Sequence, residues 1–222
     1  MKILVACEES QAVTIELRKL GHEAYSCDII DCSGGKPEWH IKQDVLPLLN
    51  GKCSFKTCDD TVHTIDDKWD MIIAFPPCTY MTNGGAVRMY HKKGIIDEER
   101  FKKAMKAKEF FMMFYNTDCK KIAIENPIPM KIIGLPERTQ VIQPYEYGEP
   151  YSKKTCLWLK GLPQLKPTNI LTEYQPFING GGGRLTKTNY KGKTFANGSI
   201  ARSKTFPGIA KAMAEQWTSE EV

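Results

Sequence analysis

Two short stretches combine a reactive or acidic side chain with proline. "FPPCT" presents Cys78 after Pro76 and Pro77, and "ENP" presents Glu125 and Asn126 just before a proline. Proline fixes φ and removes a backbone donor, so both stretches are predicted to be stiff. A thiol held in this way can act as a nucleophile. A carboxyl group in a partly dry cleft can donate a proton, because burial raises its pKa. A buried, inert cysteine is the alternative for Cys78.

The elements around these stretches alternate between strand and helix patterns. Short apolar runs predict strands at "KILVAC", "HEAYSCDII", "WDMIIAF", "KKIAIENP" and "TCLWLKGL". A short extended piece is predicted in "HIKQDVLPLL", just before Asp44. Helices are predicted over "QAVTIELRKLG", "DEERFKKAMKAKEFFMMFYNT" and "IAKAMAEQW". This alternation predicts an α/β fold with a doubly wound, mostly parallel sheet. The polar, Gly-rich and basic texture of 165–200 predicts a short, loop-rich insertion within a single domain, 1–222.

Several polar residues follow the predicted strands, where ligands of an open parallel sheet bind. Glu8 and Ser10 follow the first strand, Asp28 ends the second, and Asp44 follows the third. An acid at the end of the second strand commonly binds the ribose hydroxyls of an adenosine cofactor. The first turn, "CEESQAV", contains no glycine, which argues against a pyrophosphate and so against NAD. An adenosine cofactor without phosphates, such as S-adenosylmethionine, fits this pattern. A solvated strand-end acid is the alternative for Asp28.

Composition and charge bound the class of protein. The 222 residues carry a net charge of +5 and are 41% hydrophobic, which suits one globular domain and is compatible with a nucleic-acid partner. "MKILVACEES" reads as a buried strand rather than a signal peptide, and no apolar run is long enough to cross a membrane. We therefore predict a cytoplasmic protein whose eight cysteines are reduced.

Two further groups of residues have competing interpretations. Cys27 and Cys32, together with Cys53, Cys58 and His63, have tolerable spacing for zinc but no tight Cys-x2-Cys pair, so we predict no metal site. In the basic region, lysines and arginines including Arg202 alternate with aromatic residues, as in surfaces that follow a nucleic-acid backbone and stack on bases. A solvated loop is the alternative there.

The ordered set of motifs resembles a known family. "FPPCT", "ENP" and "YGEPYSKKTCLWLKGL" resemble the cytosine-C5 DNA methyltransferases. The chain as a whole resembles short phage and prophage proteins described as DNA cytosine methyltransferases, through "LVACEES", "GHEAYSCD", "AIENP", "QPYEYG" and "RSKTFPGIA". The resemblance implies a Rossmann-like fold, S-adenosylmethionine as cofactor, DNA as partner and the cytoplasm of a bacterial host as location.

The resemblance also implies roles by position. Cys78 is expected to attack cytosine C6, Glu125 to hydrogen-bond or protonate N3, and Asn126 to orient the 76–78 loop. The ribose of the cofactor is expected to bind Asp28 and its adenine Asp44, with Glu8 and Ser10 near its methionine part. Pro76 is expected to be a further cofactor contact. Substrate contacts are expected from Thr79, Lys153, Lys154, Arg184 and Arg202, and the insertion over 165–200 is expected to be a short substrate-recognition region.

Two other functions fit the same residues. One is modification of a different pyrimidine substrate, namely RNA, a single strand or a free nucleotide. The other is a degenerate methyltransferase fold that binds nucleic acid or protein without catalysis. Any duplex target has to be flipped out of the base stack before it can reach Cys78.

Overall fold

A seven-stranded sheet lies at the centre of the protein. The computed structural model describes residues 1–92, 94–177 and 204–219. In chain order its strands are β1 (Lys2–Ala6), β2 (Glu23–Asp28), β3 (His40–Lys42), β4 (Cys53–Lys56), β5 (Val62–Ile65), β6 (Met71–Ala74), β7 (Tyr90–Lys92), β8 (Ile95–Ile96), β9 (Lys121–Pro127), β10 (Gln140–Ile142), β11 (Tyr151–Ser152), β12 (Thr155–Lys160) and β13 (Gln175–Pro176). The α-helices of the described residues are α1 (Ala12–Lys19), α2 (Glu98–Tyr115) and α3 (Pro207–Thr218).

The strand order defines one functional edge of the sheet. The order is β10-β12-β9-β6-β1-β2-β3, and β3, β2, β1, β6 and β9 are mutually parallel. In chain order these parallel strands occupy the positions 3-2-1-4-5 of doubly wound folds, with the topological switch between β1 and β6. Strand β12 is antiparallel to both β9 and β10. The prediction of an α/β fold with a mostly parallel sheet is confirmed.

Both faces of the sheet are covered, so the central strands are apolar without alternation. In β1, Ile3 and Val5 pack against α1 and α3, whereas Leu4 and Ala6 pack on the face that holds α2. All four side chains are completely buried. Burial on both faces explains why "KILVAC" is a continuous apolar run rather than an alternating one.

No helix of the described residues is long and apolar enough to cross a membrane.

The short ribbon β4–β5 covers the end of one face. Its Phe55 ring lies 5.0 Å from the ring of Tyr25 and 6.1 Å from that of Trp69, edge-on to the first and stacked on the second. Phe55 is 4% exposed, which makes this ribbon a part of the core rather than a surface loop.

Helix α3 begins where the chain passes very close to another backbone segment. A Cβ atom on Gly208 would overlap the carbonyl oxygen of Tyr147, and Pro207 before it occupies the first turn, where proline is favoured. The backbones can approach this closely only because residue 208 has no side chain.

We expect Gly208→Ala to lower the free energy of unfolding by about 1–3 kcal/mol, because the new methyl group forces the two segments apart. Urea unfolding of the purified chain measures this. The matched control is Gly84→Ala, where the nearest atom to an added Cβ is Thr82 Oγ1 at 3.9 Å. Equal stabilities of the two variants would contradict the prediction.

Candidate functional site

The loop that carries the thiol is fixed to the strand that carries the carboxyl group. Cys78 is half-buried after β6, and the Asn126 side-chain amide of β9 donates a buried hydrogen bond of 3.0 Å to the carbonyl oxygen of Pro76. The carbonyl oxygen of Cys78 accepts from the backbone N–H groups of Met81 at 3.0 Å and Thr82 at 3.3 Å, which closes a tight turn. The expected contact between Asn126 and the loop is therefore present.

Backbone hydrogen bonds continue this connection beyond the turn. The N–H of Asn83 donates to the carbonyl oxygen of Ile128 at 3.0 Å, and the N–H of Met130 donates to that of Met81 at 2.7 Å. The segments that follow β6 and β9 thus form a short antiparallel ladder above the sheet edge. This ladder joins the loop that carries Cys78 to the segment that directly follows β9, the strand of Glu125.

Glu125 has an environment that favours its protonated form. Ala74 of β6 pairs with Ile124 of β9, so Glu125 comes directly after the last paired position of the two strands. No hydrogen bond joins its carboxyl group to another residue in the described part of the chain. Burial raises the pKa of Glu125, and the nearby charge of Lys153 partly opposes that shift. A raised pKa of this kind is typical of carboxyl groups that donate a proton or a hydrogen bond in a reaction.

Lys153 links Glu125 to a cluster of aromatic rings. Its Nζ atom lies 5.9 Å from the ring centre of Phe177 and 5.8 Å from that of Phe206. The rings of Phe177 and Phe206 are 4.9 Å apart, and Tyr151 contacts both of them. Phe177 and Phe206, which lie on either side of 178–203 in the chain, are therefore in contact with each other close to Lys153.

The other expected substrate contacts are less closely grouped. Thr79 and Lys154 are exposed, Thr79 directly after Cys78 and Lys154 directly after Lys153. Arg184 and Arg202 lie outside the described residues, as does most of the expected insertion over 165–200.

The expected adenosine contacts lie at the ends of β2 and β3. Asp28 is half-buried and its Oδ1 accepts from the N–H of Ile30 at 3.3 Å, whereas Asp44 is exposed and its Oδ1 accepts from Leu46 at 3.1 Å. Burial raises the pKa of Cys7, and the charges of Asp28 and Asp44 raise it further. Both carboxylates are therefore close enough to act on the same thiol at the end of β1. Burial also raises the pKa of Asp28.

The first turn places Glu8 differently from the expectation. Its carboxylate accepts from the N–H of Val13 at 2.7 Å, the N–H of Thr14 at 3.3 Å and the hydroxyl of Thr14 at 2.7 Å. With 3% exposure, Glu8 caps α1 from inside the protein and does not present its charge to the cleft. Burial raises the pKa of Glu8 to about 7, against the opposing effect of these hydrogen bonds. Ser10 is half-buried, and its Oγ accepts from the N–H of Ala12 at 3.5 Å.

The residues weighed for zinc have other partners. None of the eight cysteines forms a disulfide bond. The His63 ring bonds the Tyr25 hydroxyl through Nδ1 at 2.9 Å and the Thr57 hydroxyl through Nε2 at 3.2 Å. Among the described residues, no group of three or more His, Cys, Asp or Glu side chains is arranged to hold a metal ion.

Arg100 is a contact of the thiol loop that the sequence analysis missed. Its Nη2 donates to the carbonyl oxygen of Thr79 at 3.4 Å, and its guanidinium lies 5.2 Å from the ring centre of Tyr80. The available signal was Asp97 before "EER", which caps α2 through the N–H of Arg100 at 2.9 Å and so fixes this arginine in the first turn.

Comparison with known proteins finds similarity among solved structures, and the one described here is weak. No protein-family model matches the chain, and no curated protein matches it. Among solved structures, the chain is similar to a "putative DNA modification methyltransferase" encoded within a prophage (E. coli), with 14% identity and a TM-score of 0.45. The match covers 76% of this chain and 51% of that chain, so this chain spans about half the length of its neighbour. A likeness this weak establishes neither fold nor activity.

We expect Asn126→Ala to lower the free energy of unfolding by about 1–3 kcal/mol, because the buried carbonyl of Pro76 loses its donor. Urea unfolding measures this change. Asn50→Ala, at an exposed position, is the matched control and should stay within about 0.5 kcal/mol of the wild type. A wild-type stability for Asn126→Ala would show that this hydrogen bond does not hold the loop.

The raised pKa of Glu8 predicts an unusual pH dependence of the free energy of unfolding. Its pKa rises from 4.5 to about 7 on folding, so the folded state favours the protonated carboxyl group. The stabilisation is complete below pH 4.5 and is lost as the pH rises to about 7. Relative to Glu8→Gln, the wild type should lose about 3 kcal/mol across this range.

Urea unfolding at a series of pH values measures the difference between these two chains. Glu99→Gln, at an exposed position of α2, is the control and should keep the pH slope of the wild type. The same slope for Glu8→Gln and the wild type would refute the assignment.

Proposed function

We propose that this chain is an S-adenosylmethionine-dependent methyltransferase that modifies C5 of cytosine in DNA. The observation that carries the proposal is the locking of the Pro76–Cys78 loop onto the strand that bears Glu125, through Asn126 and the ladder beyond it. A nucleophile and a proton donor are thereby held together at the carboxyl edge of a doubly wound sheet. The weak likeness to the prophage protein agrees with this class of enzyme without carrying the assignment.

The cofactor side fits an adenosine compound without phosphates. In dinucleotide-binding folds the pyrophosphate lies on the N-terminus of the first helix, because free N–H groups and the helix dipole attract anions. Here the carboxylate of Glu8 already accepts from two of the N–H groups of α1. Asp28 remains available for ribose hydroxyls and Asp44 for an adenine amino group. Ile29 and Ile30, which are 72% and 48% exposed, offer apolar surface for a base.

Cys78, Glu125 and Asn126 have separate roles in the proposed reaction. The sulfur of Cys78 forms a bond to C6 of cytosine while Glu125 hydrogen-bonds or protonates N3, so the ring becomes electron-rich at C5. S-adenosylmethionine, when bound, supplies the methyl group that C5 takes. Loss of the C5 proton then allows the C6–S bond to break, and Cys78 is released as a thiolate. Asn126 holds the thiol loop and does not react.

The substrate side has positive charge and aromatic surface. Lys153 supplies a cation near Glu125, and the exposed Lys154 follows it in the chain. Thr79 directly follows the nucleophile, and we infer that these three residues contact a flipped nucleotide and its phosphates. Arg184 and Arg202 are proposed as further contacts to the nucleic acid, from outside the described residues.

The test is covalent trapping on 5-fluorocytosine. The chain is incubated with S-adenosylmethionine and with single- and double-stranded oligonucleotides that contain 5-fluorocytosine, and adducts are measured by mass spectrometry. Fluorine cannot leave C5 as a proton does, so the enzyme should remain attached through Cys78. Cys78→Ser should give no adduct. Glu125→Gln should slow its formation by about 100-fold or more, because N3 loses its proton donor.

The other outcomes separate the alternatives. No adduct, with S-adenosylmethionine still bound in calorimetry, would reject cytosine C5 of DNA as the acceptor and favour RNA or a nucleotide. Neither adduct nor cofactor binding would reject the enzyme and favour a binding protein with a degenerate fold.

A further inference from the structure

The loop over 29–36, between β2 and β3, is bound to the first turn at several points. The N–H of Ser33 donates to the carbonyl oxygen of Glu9 at 2.8 Å. The side chain of Gln11 forms hydrogen bonds with both the backbone N–H and the backbone carbonyl of Lys36. Its Oε1 accepts from the N–H at 3.0 Å, and its Nε2 donates to the carbonyl oxygen at 2.8 Å. The loop next to Asp28 thus has its position set by the turn after β1.

A buried chain of polar side chains extends this connection. Nε2 of Gln11 also donates to Oγ of Ser26 at 3.3 Å, and Oγ of Ser26 shares a hydrogen bond of 2.8 Å with Nδ1 of His40. Nε2–H of His40 donates to the carbonyl oxygen of Ile30 at 2.9 Å. Gln11, Ser26 and His40 are all completely buried. Because buried polar groups bond strongly only when all are satisfied, this network specifies one position of the loop.

The backbone at both ends of the contact is shaped for it. Gln11 has φ of 59°, a left-handed conformation that glycine adopts far more readily. A Cβ atom on Gly34 would lie 2.6 Å from both Cβ of Gln11 and the carbonyl oxygen of Ser10. A bulky residue thus occupies the strained position and a glycine the facing one. Strain of this kind persists where the surrounding contacts fix the residue, as they do for Gln11.

We propose that Gln11, Ser26 and His40 are positioning residues that hold the 29–36 loop, and with it Asp28 and Ile30, in the arrangement that accepts the adenosine half of the cofactor. This inference rests on the proposed function. A preformed loop avoids an ordering cost on binding, so its loss lowers the apparent affinity by the fraction of chains that keep the competent conformation.

The test combines two measurements on the purified full chain. Hydrogen–deuterium exchange of the cofactor-free protein reports the order of the loop, and calorimetry reports the affinity for S-adenosylmethionine. His40→Phe and Gln11→Met remove the network at similar side-chain size, and His40→Gln retains an amide that can donate to Ile30. His63→Phe is the matched control, because His63 also makes two side-chain hydrogen bonds but contacts Tyr25 and Thr57.

We expect faster exchange over the loop in His40→Phe and Gln11→Met, together with an affinity for S-adenosylmethionine about tenfold lower. His40→Gln should recover part of both. His63→Phe should change neither, even where its melting temperature falls as far as that of His40→Phe.

Each alternative outcome has one meaning. If the wild type binds S-adenosylmethionine and His40→Phe and Gln11→Met bind it equally well, the inference is overturned and the proposed function survives. Unchanged exchange over the loop in both variants would overturn the inference as well. If the wild type does not bind S-adenosylmethionine, the proposed function fails, and the positioning role toward that cofactor fails with it.

Discussion

The hydrogen bond from the Asn126 amide to the carbonyl oxygen of Pro76 is the contact on which the candidate site depends. Pro76 and Pro77 make the thiol loop stiff, but they also remove two N–H donors from it. The loop therefore cannot be attached to β9 at these positions by its own backbone donors. A side-chain donor on β9 supplies the missing connection, and the backbone ladder resumes only at Met81 and Asn83. Stiffness and attachment thus come from different residues, and the site needs both.

The strand order places this attached loop at the edge of the sheet where ligands of doubly wound folds bind. Parallel strands place all their carboxyl ends on one edge, and the order around β1 and β6 opens a crevice there. The acids of β2 and β3 lie on one side of this crevice, and the thiol and carboxyl of the β6 and β9 ends lie on the other. The proposed reaction, between an adenosine cofactor and an electron-poor ring, would use one side of this crevice for each reactant. Strand β12 is antiparallel to β9, so it begins beside the carboxyl end of β9. Lys153, which comes just before β12, therefore lies near Glu125.

The central strands and the three helices could be predicted from the sequence, because burial on both faces produces apolar runs that need no partner to be recognised. The ribbon β4–β5 was missed for the opposite reason. "CSFK" and "VHTI" are short and half polar, and they become ordered through long-range ring contacts such as Phe55 with Tyr25. Glu8 was assigned to the cofactor because it follows a strand. Only the three-dimensional path of the turn shows that its carboxylate reaches back to Val13 and Thr14.

The first turn gives the argument against a pyrophosphate a different physical basis from the one that the sequence suggests. The absence of glycine in "CEESQ" argued that the backbone could not approach a pyrophosphate. In the structure, Cys7 and Gln11 both adopt left-handed conformations, each with φ of 59°, so the turn is as sharp as a glycine turn. What opposes a phosphate is the Glu8 carboxyl group, which already accepts from N–H groups of the helix N-terminus that an anion would need. The argument therefore rests on donors that are already paired rather than on steric hindrance, and it follows from a residue that the sequence pattern placed in the cleft.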